Sequence, residues 1–270
     1  MTATPLDLPA YFSRIGYRGT PAVSASCLRE LHIAHVGAIA FENIESLNGR
    51  QVDLAPQALF DKLVSRRRGG YCFEQNGLFA QVLQQLGFRV QGLAARVVHG
   101  GGPPRPRTHQ LLQVDIDGVA WLADVGFGRL GLLEPMVMAA DSTLQSPAVS
   151  YQLRQEADQL TLAARERGDW FDLYTFTRQP QLGVDFEMAN WFTANHPQSP
   201  FRRELLVARV TPQATYLLHN GKLQILRPGS DREILTLADR EQVRHVLADY
   251  FDLDIDADDL ALFPAARAMA

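Results

Sequence analysis

The hydrophobic period of this 270-residue chain changes at Gly87, and that change bounds what the chain can fold into. Before it, apolar residues recur at helical spacing over 6–15, 27–38, 56–64 and 72–86, with Gly and Pro at the joins. After it, short alternating runs at 109–116, 119–125, 151–154, 160–164 and 170–176 predict an antiparallel sheet or small barrel. A third region then mixes a helix at 186–195 with strands at 205–210, 215–218 and 222–226. Asn220-Gly221 marks a hairpin there, and Val243, Val246, Leu247, Tyr250 and Phe251 mark a last helix. The order predicts an α+β protein.

Composition excludes several functions. The formal net charge is -4 and the basic residues are scattered, so nothing favours nucleic acid. No apolar run approaches the roughly 20 residues needed to span a bilayer, and Met1 to Pro5 opens without a signal-like pattern, so a cytoplasmic location is expected. Cys27 and Cys72 are the only 2 cysteines, far apart, which suggests neither a disulfide framework nor a zinc site. Cys27 shares a segment with core-spaced Leu28, Leu31 and His35 and reads as packing.

Cys72 reads differently. It follows Arg66-Arg67-Arg68-Gly69-Gly70-Tyr71 and opens the helix whose apolar positions are Phe79, Val82, Leu83 and Leu86. Unpaired amides and the positive dipole end at a helix start, with three arginines nearby, favour a thiolate. The run taken alone is equally consistent with an inert buried cysteine.

A nucleophilic thiol needs a base, and the base an orienting acid. His32 and His35 form an H-x-x-H pair without metalloprotease context, and His99, His196, His219 and His245 have no evident acid. His109 has one. Asp117-Gly118 is a two-residue hairpin signal; with that loop Ile116 faces Val119 and Leu111 faces Asp124. His109 and Asp124 then share a face as diagonal neighbours, about 7–8 Å apart across the two strands, while Leu112, Val114 and Ile116 take the buried face. A three-residue loop would put His109 and Asp124 on opposite faces. A Cys72–His109–Asp124 triad is the reading these positions support together, against a charged hairpin edge facing water.

The chain resembles the arylamine N-acetyltransferases in Arg68 to Asn76, Thr108-His109-Gln110-Leu111-Leu112, Ala123 to Gly128 and Asn190-Trp191-Phe192-Thr193. The similarity continues through His196 to Phe201, and at the N-terminus through Tyr11 to Tyr17 and Phe41-Glu42-Asn43. Ala40 departs from the proline usual before Phe-Glu-Asn. The resemblance implies a helical domain over 1–86 carrying the nucleophile and a β-barrel domain over 87–187 carrying His and Asp. An interdomain helix and α/β lid would follow over 188–270, around a papain-like catalytic core with Cys72, His109 and Asp124 catalytic. It also implies that Gly126, Phe127 and Phe41 line the acceptor pocket and that Phe201 lies on the coenzyme A path.

The implied activity is acetyl-CoA-dependent N-acetylation of arylamines and arylhydrazines, or O-acetylation of N-hydroxyarylamines, by a ping-pong route through an acetyl-cysteine. The cosubstrate is acetyl-CoA, no metal is expected, and the assembly is a monomer or homodimer without nucleic-acid or membrane partners. The amides and guanidinium forks of Gly100 to Arg107 suit a pyrophosphate, so Arg107 and Thr108 are candidate coenzyme contacts; the stretch reads equally as a solvated loop. Asp252-Leu253-Asp254-Ile255-Asp256 imitates the start of a calcium loop, but Ala257 stands where glycine is required. An amide-forming acyltransferase of secondary metabolism and a cysteine hydrolase would use the same triad.

Overall fold

A computed structural model describes residues 5–145, 149–166 and 168–260, the side chain of Ala257 excepted. The N-terminal run Met1 to Thr4 and the last ten residues of the expected third domain lie outside these.

The first region is helical. Helix α1 (Leu8–Ile15) starts where the Asp7 side chain accepts the Ala10 N–H, and ends at Gly16, whose φ of 69° is left-handed. Helix α2 (Ala25–Ala38) starts at Ser24, which caps the Cys27 N–H. A two-residue strand β1 (Phe41–Glu42) and short helices α3 (Ile44–Leu47) and α4 (Pro56–Phe60) follow. The segment expected as helix to residue 64 widens into a π-helical turn at Asp61–Ser65. Helix α5 (Cys72–Gln85) ends this region. Leu28, Leu31, Leu63, Phe79 and Val82 form its core, completed by Leu112, Val114 and Ile116 from the sheet, which are the residues expected on the buried hairpin face.

The second region is a nearly closed, antiparallel, eight-stranded barrel. Its strands are β2 (Arg89–Val97), β3 (His109–Ile116), β4 (Val119–Ala123), β5 (Met136–Val137), β6 (Thr143–Gln145), β7 (Ser150–Glu156), β8 (Gln159–Arg165) and β9 (Phe171–Pro180). Their spatial order is β5-β4-β3-β2-β9-β8-β7-β6. Leu93, Leu111, Leu122, Leu162 and Tyr174 fill the interior. Strand β3 is thus buried on both faces, one against the helices and one inside the barrel.

Helix α6 (Gly183–Asn195) leads into the third region, strands β10 (Leu206–Val210), β11 (Thr215–His219), β12 (Lys222–Leu226) and β13 (Glu233–Thr236) with helix α7 (Arg240–Phe251). The sheet order β1-β10-β11-β12-β13 recruits a strand from the first region, with Phe41 opposite Ala208 and Glu42 opposite Val207. Val207, Leu218, Leu223 and Ile225 pack on Val243, Leu247 and Phe251, and Ala40, Ile44 and Leu47 join them. The residues flanking β1 are therefore held by the C-terminal core. No helix among the described residues is long and apolar enough to cross a membrane.

Candidate active site

Two glycines let the turn before Cys72 dock edge-on against β1. A Cβ on Gly69 would lie 2.3 Å from the Ala40 carbonyl oxygen, and one on Gly70 would lie 2.8 Å from Oε2 of Glu74. Backbone bonds seal the contact: Gly70 N–H donates to Ala40 O and Glu42 N–H to Gly70 O, each at 3.2 Å. The Ala40 carbonyl thus serves the turn whatever side chain stands there.

Behind the turn lies a buried ion cluster. Nζ of Lys62 is 2.6 Å from Oε1 of Glu74, and Nη2 of Arg68 is 2.9 Å from Oε1 of Glu42. Burial works against the Lys62 charge, but Glu74 and Glu42 outweigh it and hold its pKa above the ordinary lysine value. The free oxygen of Glu74 accepts the Tyr71 N–H at 3.0 Å, fixing the first turn of α5 from below. Cys72 is its first residue and is 5% exposed.

The three arginines before the thiol each have carboxylate partners. Arg66 pairs with Asp61, Arg67 with Asp252, and Arg68 with Glu42, Glu45 and Asp259. Each guanidinium is neutralised by carboxylates, so the triplet secures the turn and the C-terminal segment.

The hairpin register is the two-residue one. Asp117 and Gly118 have φ of 50° and 79°, as a type I′ turn requires, and Ile116 pairs with Val119 through to Leu112 with Ala123. Asp124 follows directly, and its Oδ2 lies 2.7 Å from Nε2 of His109. The other ring nitrogen, Nδ1, is not engaged by Asp124; the Cys72 Sγ lies 3.7 Å from the Thr108 carbonyl oxygen, one residue before His109, and its charge favours the protonated imidazole. Burial alone would lower the His109 pKa, yet Asp124 first and Cys72 second push it up to about 10. The site thus favours the protonated ring.

Asp124 is buried and fully engaged. Oδ1 accepts from Nδ2 of Asn76 at 3.0 Å and from the Gly126 N–H at 3.1 Å, and Oδ2 also accepts the Tyr174 hydroxyl at 3.0 Å. Burial would raise its pKa, but His109, then Asn76 and the Gly126 N–H, lower it below the usual carboxylate value. Asn76 also donates to Gln110 O and accepts the Val125 N–H. Tyr174 packs on the His109 ring at 4.9 Å and Phe127 edge-on at 5.0 Å. The sequence gives no motif signal for Asn76 or Tyr174 at the site, and His32, read as a hydrogen-bonded core or surface histidine, is buried and hydrogen-bonded. For Asn76 spacing alone was available, because i+4 from Cys72 is the same helix face; Tyr174 comes from strand β9 and carries no such spacing.

Cys72 and His109 open into a cleft of about 820 Å³. Phe41, Thr108, Gly126, Phe127 and Phe201 line it, and from the glycine-arginine loop Arg105 does so and Arg107 does not. Gly126 has a second duty: a Cβ there would lie 2.6 Å from Cα of Cys72, so the Asp124 loop reaches the helix start only without a side chain. Among the described residues, the charged and imidazole side chains lining the cleft are Arg105, Arg129, Arg203, His99, His109 and His196, with no carboxylate, and Arg129 pairs with Glu166 behind it. Arg105 donates to His99 O and Gly101 O, and Arg203 to Gln198 O. His219, expected to lack an acid, is 2.8 Å from Glu204, but both are partly exposed and neither lines the cleft. Among the described residues no cluster has the makings of a metal site, the acidic run at Asp252 included.

A thiol at a helix start and a histidine bound by a buried carboxylate, carried where a helical unit meets an eight-stranded barrel, define a protein of mixed α and β architecture with cysteine, histidine and aspartate at one cleft. The sequence matches the N-acetyltransferase family model over residues 25–260. It is 40% identical over 256 residues to an arylamine N-acetyltransferase of Mycolicibacterium smegmatis, covering 93% of each chain. It is 39% identical over 272 residues to that of Escherichia coli strain K12, covering 97% of this chain and 96% of the other. The solved Mycobacterium marinum arylamine N-acetyltransferase in complex with CoA superimposes with a TM-score of 0.90 at 38% identity, covering 95% of this chain and 98% of that one. The chain belongs to the arylamine N-acetyltransferase family.

Proposed function

We propose that this chain transfers acetyl groups from acetyl-CoA to arylamines and arylhydrazines, and to N-hydroxyarylamines, through an acetyl-Cys72 intermediate. The observation that carries the reading is the buried His109 side chain, bound by Asp124 at 2.7 Å and lining the same cleft as Cys72. The CoA complex of the M. marinum relative supports the donor. The cleft fits that donor: its volume lies within the usual range for ligand sites, and its arginines suit phosphates while its aromatic floor suits an aryl ring. Arg105 and Thr108 on one wall and Phe201 on the other are the proposed coenzyme contacts, with Gly126, Phe127 and Phe41 at the acceptor.

The Cys72 thiolate attacks the acetyl carbonyl carbon, and the Cys72 N–H, unpaired at a helix start, donates to the oxyanion. As the C–S bond to the coenzyme breaks, His109 gives its proton to the departing sulfur and becomes neutral. One thioester replaces another, so little free energy is lost. The neutral amine then attacks the acetyl-Cys72 carbonyl. His109 takes the proton that nitrogen sheds as the second intermediate collapses, regenerating the thiolate and imidazolium pair. Asp124 keeps the ring oriented throughout. In this reading residues 1–86 supply the nucleophile, 87–187 the base and acid, and 188–270 the outer wall of the cleft.

Intact mass measurement after mixing with acetyl-CoA tests the proposal. An acetyl adduct is expected in the wild type, absent in Cys72→Ala and discharged by an arylamine; no adduct at any pH from about 6 to 8 would overturn it. Discharge by water alone, with no acetylated amine, would assign a hydrolase instead.

A further inference from the structure

We infer that His32 is a positioning residue, a clasp that closes the loop from Asp124 to Leu133 and fixes the triad carboxylate through its backbone. The proposal rests on the Cys72–His109–Asp124 reading. Strand pairing between β3 and β4 stops at Leu112 and Ala123, so the buried Asp124 N–H has no ladder partner. Nε2 of His32, on helix α2, accepts it at 3.2 Å. The opposite edge of the same ring binds the other end of the loop, with Nδ1 3.1 Å from the Leu133 carbonyl oxygen. A single side chain thus ties both ends of a segment whose middle supplies Gly126, Phe127, Gly128, Arg129 and Leu130 to the cleft wall.

The two partners dictate one protonation form. A carbonyl can only accept and an N–H can only donate, so the ring must carry its proton on Nδ1 and be bare at Nε2. His32 has no exposed surface and packs edge-on against Phe79 of α5, the helix that Cys72 begins. One turn earlier on α2, Arg29 pairs with Glu134, so the helix holds the far end of the loop at two points. His32 touches neither Cys72 nor His109. It acts by holding the Asp124 main chain where Oδ2 meets His109 and where Gly126 meets the start of α5.

Two substitutions separate the halves of the clasp. An asparagine amide occupies the place of Nδ1, and a glutamine amide that of Nε2. His32→Gln can keep the acceptor for Asp124 and loses the Leu133 bond; His32→Asn keeps the Leu133 bond and orphans the Asp124 N–H. The readout is the rate of Cys72 alkylation by iodoacetamide at about pH 7, mapped by peptide mass, with melting temperature measured alongside. Expected is a rate within about threefold of wild type for His32→Gln and a loss of tenfold or more for His32→Asn, at similar melting temperatures. Equal rates in the two variants would overturn the proposal, because a residue that only supports the fold would affect both alike. Long-range nitrogen-proton NMR of the wild type needs no variant: the His32 ring should carry its proton on Nδ1, and the Nε2 form would overturn the clasp. A wild-type Cys72 no faster than a free thiol would instead sink the triad reading, before any variant is made.

Discussion

Oδ2 of Asp124 lies 2.7 Å from Nε2 of His109, with both side chains buried. Replacing the acid by its amide tests what that contact does. In Asp124→Asn the amide oxygen would stay with the Asn76 and Gly126 donors, turning the NH2 toward His109. The ring would then bare Nε2 and carry its proton on Nδ1, the nitrogen that must receive protons from thiol and amine. A fall in kcat of roughly 10³–10⁴-fold with a folded protein is expected, as for other acid-to-amide changes in such triads. A loss below tenfold would remove Asp124 from the orienting role.

The same contact sets a pH dependence. The folded pKa of His109 is about 10, above the roughly 6.5 of an unfolded histidine, so the folded state binds the extra proton between them. The resulting stabilisation is complete below about pH 6.5 and is lost as pH rises through about 10. Urea midpoints should therefore fall between about pH 8 and 10.5 more steeply in wild type than in His109→Gln. Parallel curves would contradict the charge assigned to the imidazole.

Gly126→Ala asks whether the loop must touch the helix start. The new Cβ would sit 2.6 Å from Cα of Cys72 and 2.9 Å from Nδ2 of Asn76, both on a buried helix that has no room to move. The loop must back away, taking the Asp124 backbone with it. A loss of about 1–3 kcal/mol in stability is expected, with a disproportionate fall in activity at temperatures where the variant is fully folded. Wild-type activity per folded molecule would show that the contact is dispensable.

How far the sequence reached depended on chain separation. The His109–Asp124 pairing was readable because Asp117-Gly118 selects a turn of known length and the alternation on β3 does the rest. The start of α5 was readable from Gly69-Gly70 and the spacing of Phe79, Val82 and Leu83. Strand β1 was not: Phe41 pairs with Ala208, and no local period marks a two-residue strand whose partner arrives so late. Tyr174 and His32 reach Asp124 from β9 and α2, and the carboxylates that absorb Arg66, Arg67 and Arg68 include Asp252 and Asp259. Family resemblance named the triad and the cleft, but could not say which groups hold the carboxylate in place.

The buried pair beneath Tyr71 should be costly to break from one side. Lys62→Met leaves Glu74, 1% exposed and near Glu42, without its cation, so the carboxylate is either unpaired or forced to protonate. Such a vacancy destabilises by about 3–5 kcal/mol, whereas removing both charges together is often close to neutral. Urea denaturation should show Lys62→Met far less stable than the double variant Lys62→Met with Glu74→Gln. The double variant still has an amide to accept the Tyr71 N–H, so Cys72 alkylation should recover with stability; recovery of neither would count against the pair as the support of the helix start.

Acid should unfold this protein through its helical core before the triad carboxylate protonates. His32 and His35 are buried, and desolvation lowers their pKa to about 4 and about 3; the Leu133 carbonyl and then Asp124 pull His32 upward, while His32 and Arg14 lower His35 further and Gln75 pulls it upward. In the unfolded chain both titrate near 6.5, so below that value the unfolded state binds up to two more protons than the folded one. Stability therefore falls as pH drops from about 6.5 toward 4, by about 1.4 kcal/mol per pH unit for each histidine. His35→Asn separates one contribution: its amide can still accept the Tyr11 hydroxyl, which lies 2.8 Å from Nδ1 of His35, but it cannot titrate. The variant should be somewhat less stable at about pH 7, yet lose only about half as much as wild type between pH 6 and 5 in urea unfolding. Equal losses would show that the core histidines are not what acid attacks.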